Sequence, residues 1–440
     1  MTQSSQRSPT GEKWDATARP FNPFWRAGSD NMRVVVSELT GQLNEYETFY
    51  GLRQRQRREA DQRTFERTVE AVICDLVHRE LTCPRGKIHV SQSNQLLRKK
   101  SRYKGAALNR NLPEWLRNMA SEEMDFLTYE LGKRVVVIED DGAKAHLQGT
   151  QTLIGAGPKI LSRMKTYNLT LEDVRQDLDQ EVILLKAKKT KPDQPGKVLE
   201  FVDTSETKRL RAEMRRINEA IAALGVECSD EAIDTSQRVL RRVFNNGSFD
   251  EGGRLYGGFW QPMGKEDRPD CLVIDGEPVV ELDYGQMSVS LLYGLAGTTP
   301  PDGDLYDLSA HGFPVECRPG IKKIMNAQIA SAKPLTRMPK KTRKTIPRDY
   351  SYADVKKAVW EKHAPIVPYF GAGTGPRLMK LESDILVCVL LRLIDEGVGA
   401  LPIHDAILVR QDQVMAAKAA MEEVFQEEVG IVPEVSVSSE

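Results

Sequence analysis

The chain has 440 residues, with 62 basic against 63 acidic side chains and a net charge of −1. Its 40% hydrophobic and 28% charged content is that of an ordinary soluble globular protein with room for two or three domains. Near-neutrality excludes holding a polyanion through bulk charge, so a nucleic-acid partner requires local basic patches. No run approaches the roughly 18–20 apolar residues of a membrane span, and no membrane partner is expected.

Met1 to Arg26 is polar, lacks an apolar signal-peptide core and reads as a flexible arm. The cysteines (Cys74, Cys83, Cys228, Cys271, Cys317, Cys388) are scattered without a C-x-x-C pair. That fits a reducing, cytoplasmic compartment. Cys74, His78, Cys83 and His89 lie close in sequence, but their spacing matches no common zinc pattern, and core packing is the expected role.

From Asn44 to His78 the pattern is helical, with Phe65, Val69, Val72, Ile73 and Leu76 at three- and four-residue steps. Arg53, Arg55, Arg57 and Arg58 precede that stripe; a solvated helix face is expected of them, with phosphate contact as the alternative. Between Ser91 and Trp115, Arg98, Lys99, Lys100, Arg102, Lys104 and Arg110 are interleaved with Tyr103 and Trp115. Basic groups for phosphates beside rings for bases suit a single-stranded nucleic-acid groove, and an ordinary surface loop has the same make-up. Lys133 to Ile138 reads as a strand ending at the acidic turn Glu139-Asp140-Asp141-Gly142. Val182–Ala187 and Val198–Val202 read as a hairpin around Lys191-Pro192-Asp193-Gln194-Pro195-Gly196. A helix follows over Ser205–Leu224, striped by Leu210, Met214, Ile217 and Ile221. Domain breaks are expected near residue 150 and near Asn245-Asn246-Gly247, where turn residues break the pattern.

Further on, Cys271-Leu272-Val273-Ile274 and Val279-Val280-Glu281-Leu282-Asp283-Tyr284 are two strand-like runs joined through Asp275-Gly276, a strong hairpin signal. Asp283 falls at the end of the second run, where it either caps the helix Gln286–Leu295 or serves a site. A second carboxylate of this kind stands in Leu401-Pro402-Ile403-His404-Asp405-Ala406-Ile407-Leu408-Val409. Apolar runs flank the polar pair there, as in a hairpin whose turn carries His404 and Asp405. Two strand-end aspartates brought together make an oxygen-rich place for Mg²⁺, which is held by carboxylates plus substrate phosphates. A pair of such ions, with Mn²⁺ as the substitute, serves in-line phosphoryl displacement.

Taken in order from Gly252 onward, Gly253-Arg254-Leu255, Trp260-Gln261-Pro262, Val280-Glu281-Leu282-Asp283-Tyr284-Gly285-Gln286, Arg318 with Lys322, and Ile403-His404-Asp405 resemble the polymerase core of family A DNA polymerases. The single-subunit phage RNA polymerases share that palm. The resemblance implies that Asp283 and Asp405 hold two catalytic metal ions and that Tyr284 packs beneath the incoming nucleotide. It implies that Arg318 and Lys322, on one helix face, bind its triphosphate, with Gln286 near the nucleotide. Arg254 would touch the primer-end minor groove, while Gln261 and His404 would lie near the duplex. The chain departs from the family at four positions. Ser288 stands where a Glu crowds the sugar 2′ position, Asn326 where an aromatic stacks near the sugar and base, Ala330 where a Tyr is expected, and Ala406 where a Glu commonly follows His-Asp. The departures put deoxyribose selectivity in doubt more than catalysis, and Ser288 leaves room for a ribose 2′-OH.

Lys333, Arg337, Lys340, Lys341, Arg343, Lys344 and Arg348 form the densest positive run, with no acidic residue among them. Contact with template or triphosphate is the preferred reading of Lys340, Lys341, Arg343 and Lys344, against a solvated loop. Ser383–Ile394 reads as an apolar helix, Gly371–Gly375 as a flexible connection, and Val414–Val429 as a closing amphipathic helix.

The expectation is an α+β protein, with a palm-like sheet, helical fingers between Asp283 and Asp405, and a mainly helical N-terminal half. Its expected parts are the arm 1–26, a helical nucleic-acid-binding domain 27–150, a thumb-like or connecting region 151–245 and a catalytic domain 246–440. The expected activity is template-directed nucleotidyl transfer to a 3′-OH by a DNA polymerase, with nucleoside triphosphates and a template and primer as partners. The alternatives are an RNA polymerase or primase-like enzyme, or a catalytically silent nucleic-acid-binding palm protein.

Overall fold

The computed structural model describes residues 18–138, 145–191, 194–230 and 232–438. Most of the N-terminal arm, the acidic turn Glu139–Gly142 and part of the 191–196 hairpin tip lie outside the described residues. The chain is a mixture of helices and sheets, α+β in class. It divides into two compact units, Met1–Gln180 and Glu181–Glu440. Among the described residues no helix is long and apolar enough to cross a membrane.

The first unit is mixed rather than mainly helical. Two helices, α1 (Asp30–Phe49) and α2 (Glu59–Thr82), pack with a four-stranded sheet built from Arg19–Pro20, Ile88–Val90, Thr152–Ala156 and Leu127–Glu130. Phe65, Val69, Val72, Ile73 and Leu76 of α2 are all buried in this core. The helical run expected from Asn44 to His78 is broken instead, because Gly51 takes a left-handed φ of 63° just past the end of α1. Arg53 to Arg58 therefore lie in a connecting loop, not on a helix face.

No zinc site forms. Cys74 is fully buried and His78 stacks on Trp25 at 4.0 Å between centroids, while His89 is bonded to Gln151. Among the described residues no group of three or more His, Cys, Asp or Glu is placed to hold a metal. The groove expected over Ser91–Trp115 is also partly undone. Trp115 is a core residue, 5% exposed and edge-on to Phe65 at 5.1 Å. The Lys104 ammonium donates to the Leu96, Leu97 and Lys99 carbonyls (3.2, 2.5 and 3.0 Å), closing the end of the helix Asn94–Arg98.

The second unit starts upstream of the expected catalytic domain. Ile183–Lys186 and Val198–Leu199 pair as the expected antiparallel hairpin, and Ile183–Lys186 also pairs with Arg241–Phe244, which turns back into Gly252–Tyr256. The Asn245–Gly247 turn is thus internal to one sheet, not a boundary. The helix Ser205–Ala223 is capped by Thr204, whose hydroxyl accepts from the Thr207 amide.

The second sheet of this unit has six strands: β1 (Val226–Cys228), β2 (Leu272–Ile274), β3 (Glu277–Tyr284), β4 (Ala400–Ile403), β5 (Ala406–Arg410) and β6 (Val435–Val437). Their order is β1-β2-β3-β5-β4, with β6 on the far end of β3. Asp275 and Gly276, at φ of 51° and 80°, make the tight β2–β3 turn. Leu282 and Tyr284 bury one face of β3; the Tyr284 hydroxyl donates to the Met421 carbonyl of the closing helix Val414–Val429 at 2.7 Å. Glu281 and Asp283 fall on the opposite face by strand alternation.

Between β3 and β4 run four helices: α3 (Met287–Leu295), α4 (Arg318–Ala330), α5 (Tyr352–Lys362) and α6 (Gly375–Asp395). The apolar run expected over Ser383–Ile394 is the C-terminal part of α6, which packs on the strand Gly252–Tyr256. Arg242, 1% exposed, fastens this packing. Its guanidinium donates to the Gly253 carbonyl and Ser383 hydroxyl (3.0 and 3.2 Å) and pairs with Asp384 at 2.6 Å. A buried charge held this completely costs little, whereas removing its partner would strand it.

Candidate active site

Asp283 stands on β3 directly opposite Ala406 of β5. The β4–β5 turn is a two-residue hairpin made of His404 and Asp405, since Ile403 pairs with Ala406. The amide of Tyr284 reaches the Asp405 carbonyl at 3.4 Å. Two residues far apart in sequence thus meet at one end of neighbouring antiparallel strands. Asp283 caps no helix; the N-cap position of α3 is Gln286, at a left-handed φ of 61°.

The two carboxylates on the polar face of β3 are treated differently. Glu281, 3% exposed, accepts both Nε and Nη2 of Arg268 at 3.2 and 2.7 Å. The Oδ1 of Asp283 is buried with no hydrogen-bond partner. Burial first, and the Asp405 charge second, push the Asp283 carboxyl up to about 6. An acid so placed is short of a counter-cation. A hard cation with oxygen ligands fits that shortage, and the two carboxylates are the right donors for Mg²⁺.

The cationic side of the site comes from α4. Arg318, Lys322 and Asn326 follow at four-residue steps, while Ile321, Ile324 and Met325 turn inward. Lys322 and Asn326 are exposed. The Lys322 ammonium and the Arg318 guanidinium lie 5.7 and 5.5 Å from the ring centre of Tyr306. Tyr306 is 2% exposed, and burial pushes its hydroxyl up to about 12 while the charge of Asp405 also acts on it. Lys322 in turn favours the ionised form of Asp283. One buried ring thus lies between the two cations of α4 and within the field of Asp405.

Tyr306 is the residue that the sequence did not announce. Its segment is tied down from several directions. Asp304 grips Arg318 through Nε and Nη2, and the Lys362 ammonium donates to the Asp304 and Asp307 carbonyls, both at 2.7 Å. His363 bonds the Leu305 carbonyl through Nε2 at 2.8 Å, and its Nδ1 meets the Tyr293 hydroxyl at 2.9 Å. Burial holds the ring neutral, so with one ring nitrogen donating to the carbonyl the other accepts from the tyrosine.

Several expected contacts are reassigned by the geometry. Tyr284, expected beneath the nucleotide, lies in the core on the far face of β3, against Phe425 at 5.3 Å. The Gln286 amide is spent on Glu434 and on the Leu305 amide. Gln261, expected near the duplex, closes its own loop by donating to the Leu255 and Pro402 carbonyls and accepting from the Gly257 amide. Arg254 is held bidentately by Glu382 at 2.7 and 3.0 Å, close enough to Asp405 to sense its charge.

His404 stays near the aspartates, its ring 5.6 Å from that of Tyr256 and its Nδ1 buried without a partner. Burial, then Arg254, holds it below the usual imidazole range. Ser288 sits half-buried in the first turn of α3. In the basic run, Lys340, Lys341 and Lys344 are exposed, whereas Arg343 donates to the Pro347 and Tyr350 carbonyls at 2.9 and 2.8 Å. The loop packs on α4 at Gly320, where a Cβ would come within 2.6 Å of Ile346 and Thr345.

No family model matches the sequence, and no curated protein matches it. Among solved structures, the polymerase domain of Pol1 from M. smegmatis, in complex with DNA primer-template and dNTP, is similar at 14% identity and a TM-score of 0.34. The match spans 53% of this chain and 51% of that one, about half of each.

Proposed function

We propose that residues 181–440 form the palm and fingers of a template-directed nucleotidyltransferase, making DNA by extension of a 3′-OH. The observation that carries this reading is the convergence of Asp283 and Asp405 on adjacent strands, with one Asp283 oxygen unsatisfied. In this reading β3, β4 and β5 are the palm, and α4 to α6 are the fingers. Mg²⁺ ions, or Mn²⁺ in their place, held by Asp283 and Asp405, would neutralise charge on the attacking and leaving oxygens. The bond formed joins the 3′-oxygen to the α-phosphorus; the bond broken releases pyrophosphate.

The chain's own groups then have defined tasks. Lys322 holds the triphosphate as a compact charge, and Arg318 exchanges Asp304 for a phosphate. Tyr306 keeps both cations at a fixed separation from the aspartates. The exposed Lys340, Lys341 and Lys344 add positive potential for the template or triphosphate. The first unit grips nucleic acid.

The second reading is a catalytically silent nucleic-acid-binding scaffold, favoured by the closed Asp304–Arg318 pair, which occupies a cation the reaction needs. Extension of a primed and an unprimed template with each nucleotide set decides between them. Synthesis abolished by Asp283→Asn and by Asp405→Asn supports the enzyme. Absence of any synthesis by the native chain, with nucleic acid still bound, supports the scaffold. Synthesis without a primer or from ribonucleotides alone selects the primase-like or RNA polymerase form.

A further inference from the structure

The end of α1 and the loop after it expose aromatic surface beside unneutralised charge. Phe49 is 82% exposed, Leu52 48% and Tyr50 47%. Tyr46, Tyr50 and Phe49 form a ring cluster, with centroids 4.7 Å apart for the tyrosines and 5.0 Å for Phe49 and Tyr50, the latter pair edge-on. The Tyr50 hydroxyl donates to Glu123 at 3.1 Å, which holds the cluster in position. Scattered apolar residues on a surface need no explanation, but a grouped and oriented set of rings does.

The next eight residues, Gly51 to Arg58, include four arginines and no acid. Arg57 is consumed internally; it lies 3.7 Å over the Phe65 ring and bonds Asn44 at 2.8 Å, with Glu47 as its ion-pair partner. That contact pins the loop to the core. Arg53 donates to the Thr48 hydroxyl at 3.3 Å. Arg55 and Arg58 are exposed, and among the described residues neither is paired with a carboxylate.

A purely apolar partner would leave those guanidiniums without a match, and a purely anionic one would leave the rings wet. A single polynucleotide strand satisfies both, since its unpaired bases offer π faces and its phosphates accept from arginine. A duplex keeps its base faces stacked inside and offers only the phosphates. We propose that residues 46–58 are a binding site for single-stranded nucleic acid, with Phe49 and Tyr50 as the stacking surface and Arg53, Arg55 and Arg58 as the phosphate contacts. This site is separate from Asp283 and Asp405 and does not depend on nucleotidyl transfer.

The test uses the full chain and a labelled 20-nucleotide oligo-dT, followed by fluorescence anisotropy with an unlabelled duplex as competitor. Phe49→Leu keeps apolar bulk and removes the ring, so affinity should fall roughly tenfold, the scale of losing one stacked base. Phe49→Trp should retain it. Arg55→Gln with Arg58→Gln should weaken binding and flatten its salt dependence. Asp283→Asn should leave all of these values unchanged, so loss of catalysis and loss of this site are read separately. The side chains altered are exposed, and an unchanged melting midpoint verifies the fold. The proposal is overturned if the wild type does not bind oligo-dT, or if Phe49→Leu and the double-arginine variant both bind as the wild type does. It is overturned equally if Phe49→Leu weakens duplex and single strand alike. A wild type that runs as a dimer and a Phe49→Leu variant that runs as a monomer, with oligonucleotide binding intact, would overturn the proposal and assign the patch to a second copy.

Discussion

Asp304 holds Arg318 by two nitrogens of its guanidinium, with Nη2 at 3.2 Å from Oδ1. The pair is partly exposed, at 42% and 30% of the two side chains, so its worth is about 1 kcal/mol. A triphosphate that takes Arg318 has to displace this carboxylate. Asp304→Asn removes the competing charge, yet its Oδ1 can still accept from the Tyr306 amide, as Asp304 does at 3.0 Å. The expected outcome is an affinity for a non-hydrolysable nucleoside triphosphate about fivefold tighter, by calorimetry. Arg318→Ala and Lys322→Ala should weaken it.

Removing either aspartate should separate synthesis from binding. Asp283→Asn and Asp405→Asn are each expected to lower primer extension by roughly a hundredfold or more, the scale of losing one electrostatic stabiliser. Binding of a primed template should stay within a few fold. Without metal, Asp283→Asn should raise the melting midpoint above that of the wild type at pH 8, because the carboxylate is ionised at a cost there. Its folded-state pKa is raised, so its favourable contribution is present at low pH and lost as pH climbs past about 6. Mg²⁺ should raise the wild-type midpoint and leave that of the variant nearly unchanged.

His363 gives the chain an acid sensitivity with a known sign. The ring is fully buried and neutral, and burial holds it down to about 4 from an ordinary 6.5. The unfolded chain binds its proton below about 6.5 while the folded chain does not, so stability falls as pH drops from about 6.5 towards 4. The loss is on the order of 3 kcal/mol at the low end. Melting midpoints of the wild type and His363→Gln across that window should converge as the pH is lowered.

Ser288 tests the sugar. If a Glu at this position crowds the 2′-carbon, Ser288→Glu should lower ribonucleotide use relative to deoxyribonucleotide use by roughly tenfold or more. The first turn of a helix tolerates an added carboxylate, so extension with deoxyribonucleotides should persist. The ratio of kcat/KM for the two nucleotide sets checks this.

The sheet around the aspartates was legible because its signals are local. Asp275-Gly276 and His404-Asp405 are two-residue turns between β-branched runs, and the closing helix begins and ends at Val414 and Val429 as its stripe suggests. The helix break after Phe49 was missed because one glycine outweighed a continuous apolar period. The Tyr306 segment was illegible for another reason. Its partners Gln286, Arg318, Lys362 and His363 come from either side along the chain, and its own residues read as a Gly-, Pro- and Asp-rich loop. The same holds for Arg254, whose partner Glu382 lies 128 positions away. Trp115 and Gln261 were assigned outward roles from residue type alone, and burial and backbone bonding claimed them.

β6 clips the end of β3, pairing Val435 to Val437 with Leu282 to Tyr284 while the Ser436 hydroxyl reaches the Asp283 carbonyl at 3.2 Å. That clip is encoded 153 positions after the aspartate it braces. During synthesis on the ribosome, therefore, the strand bearing Asp283 emerges long before its brace. A nascent chain that stalls between Asp405 and Val435 carries both aspartates while the end of β3 is still without its outer partner.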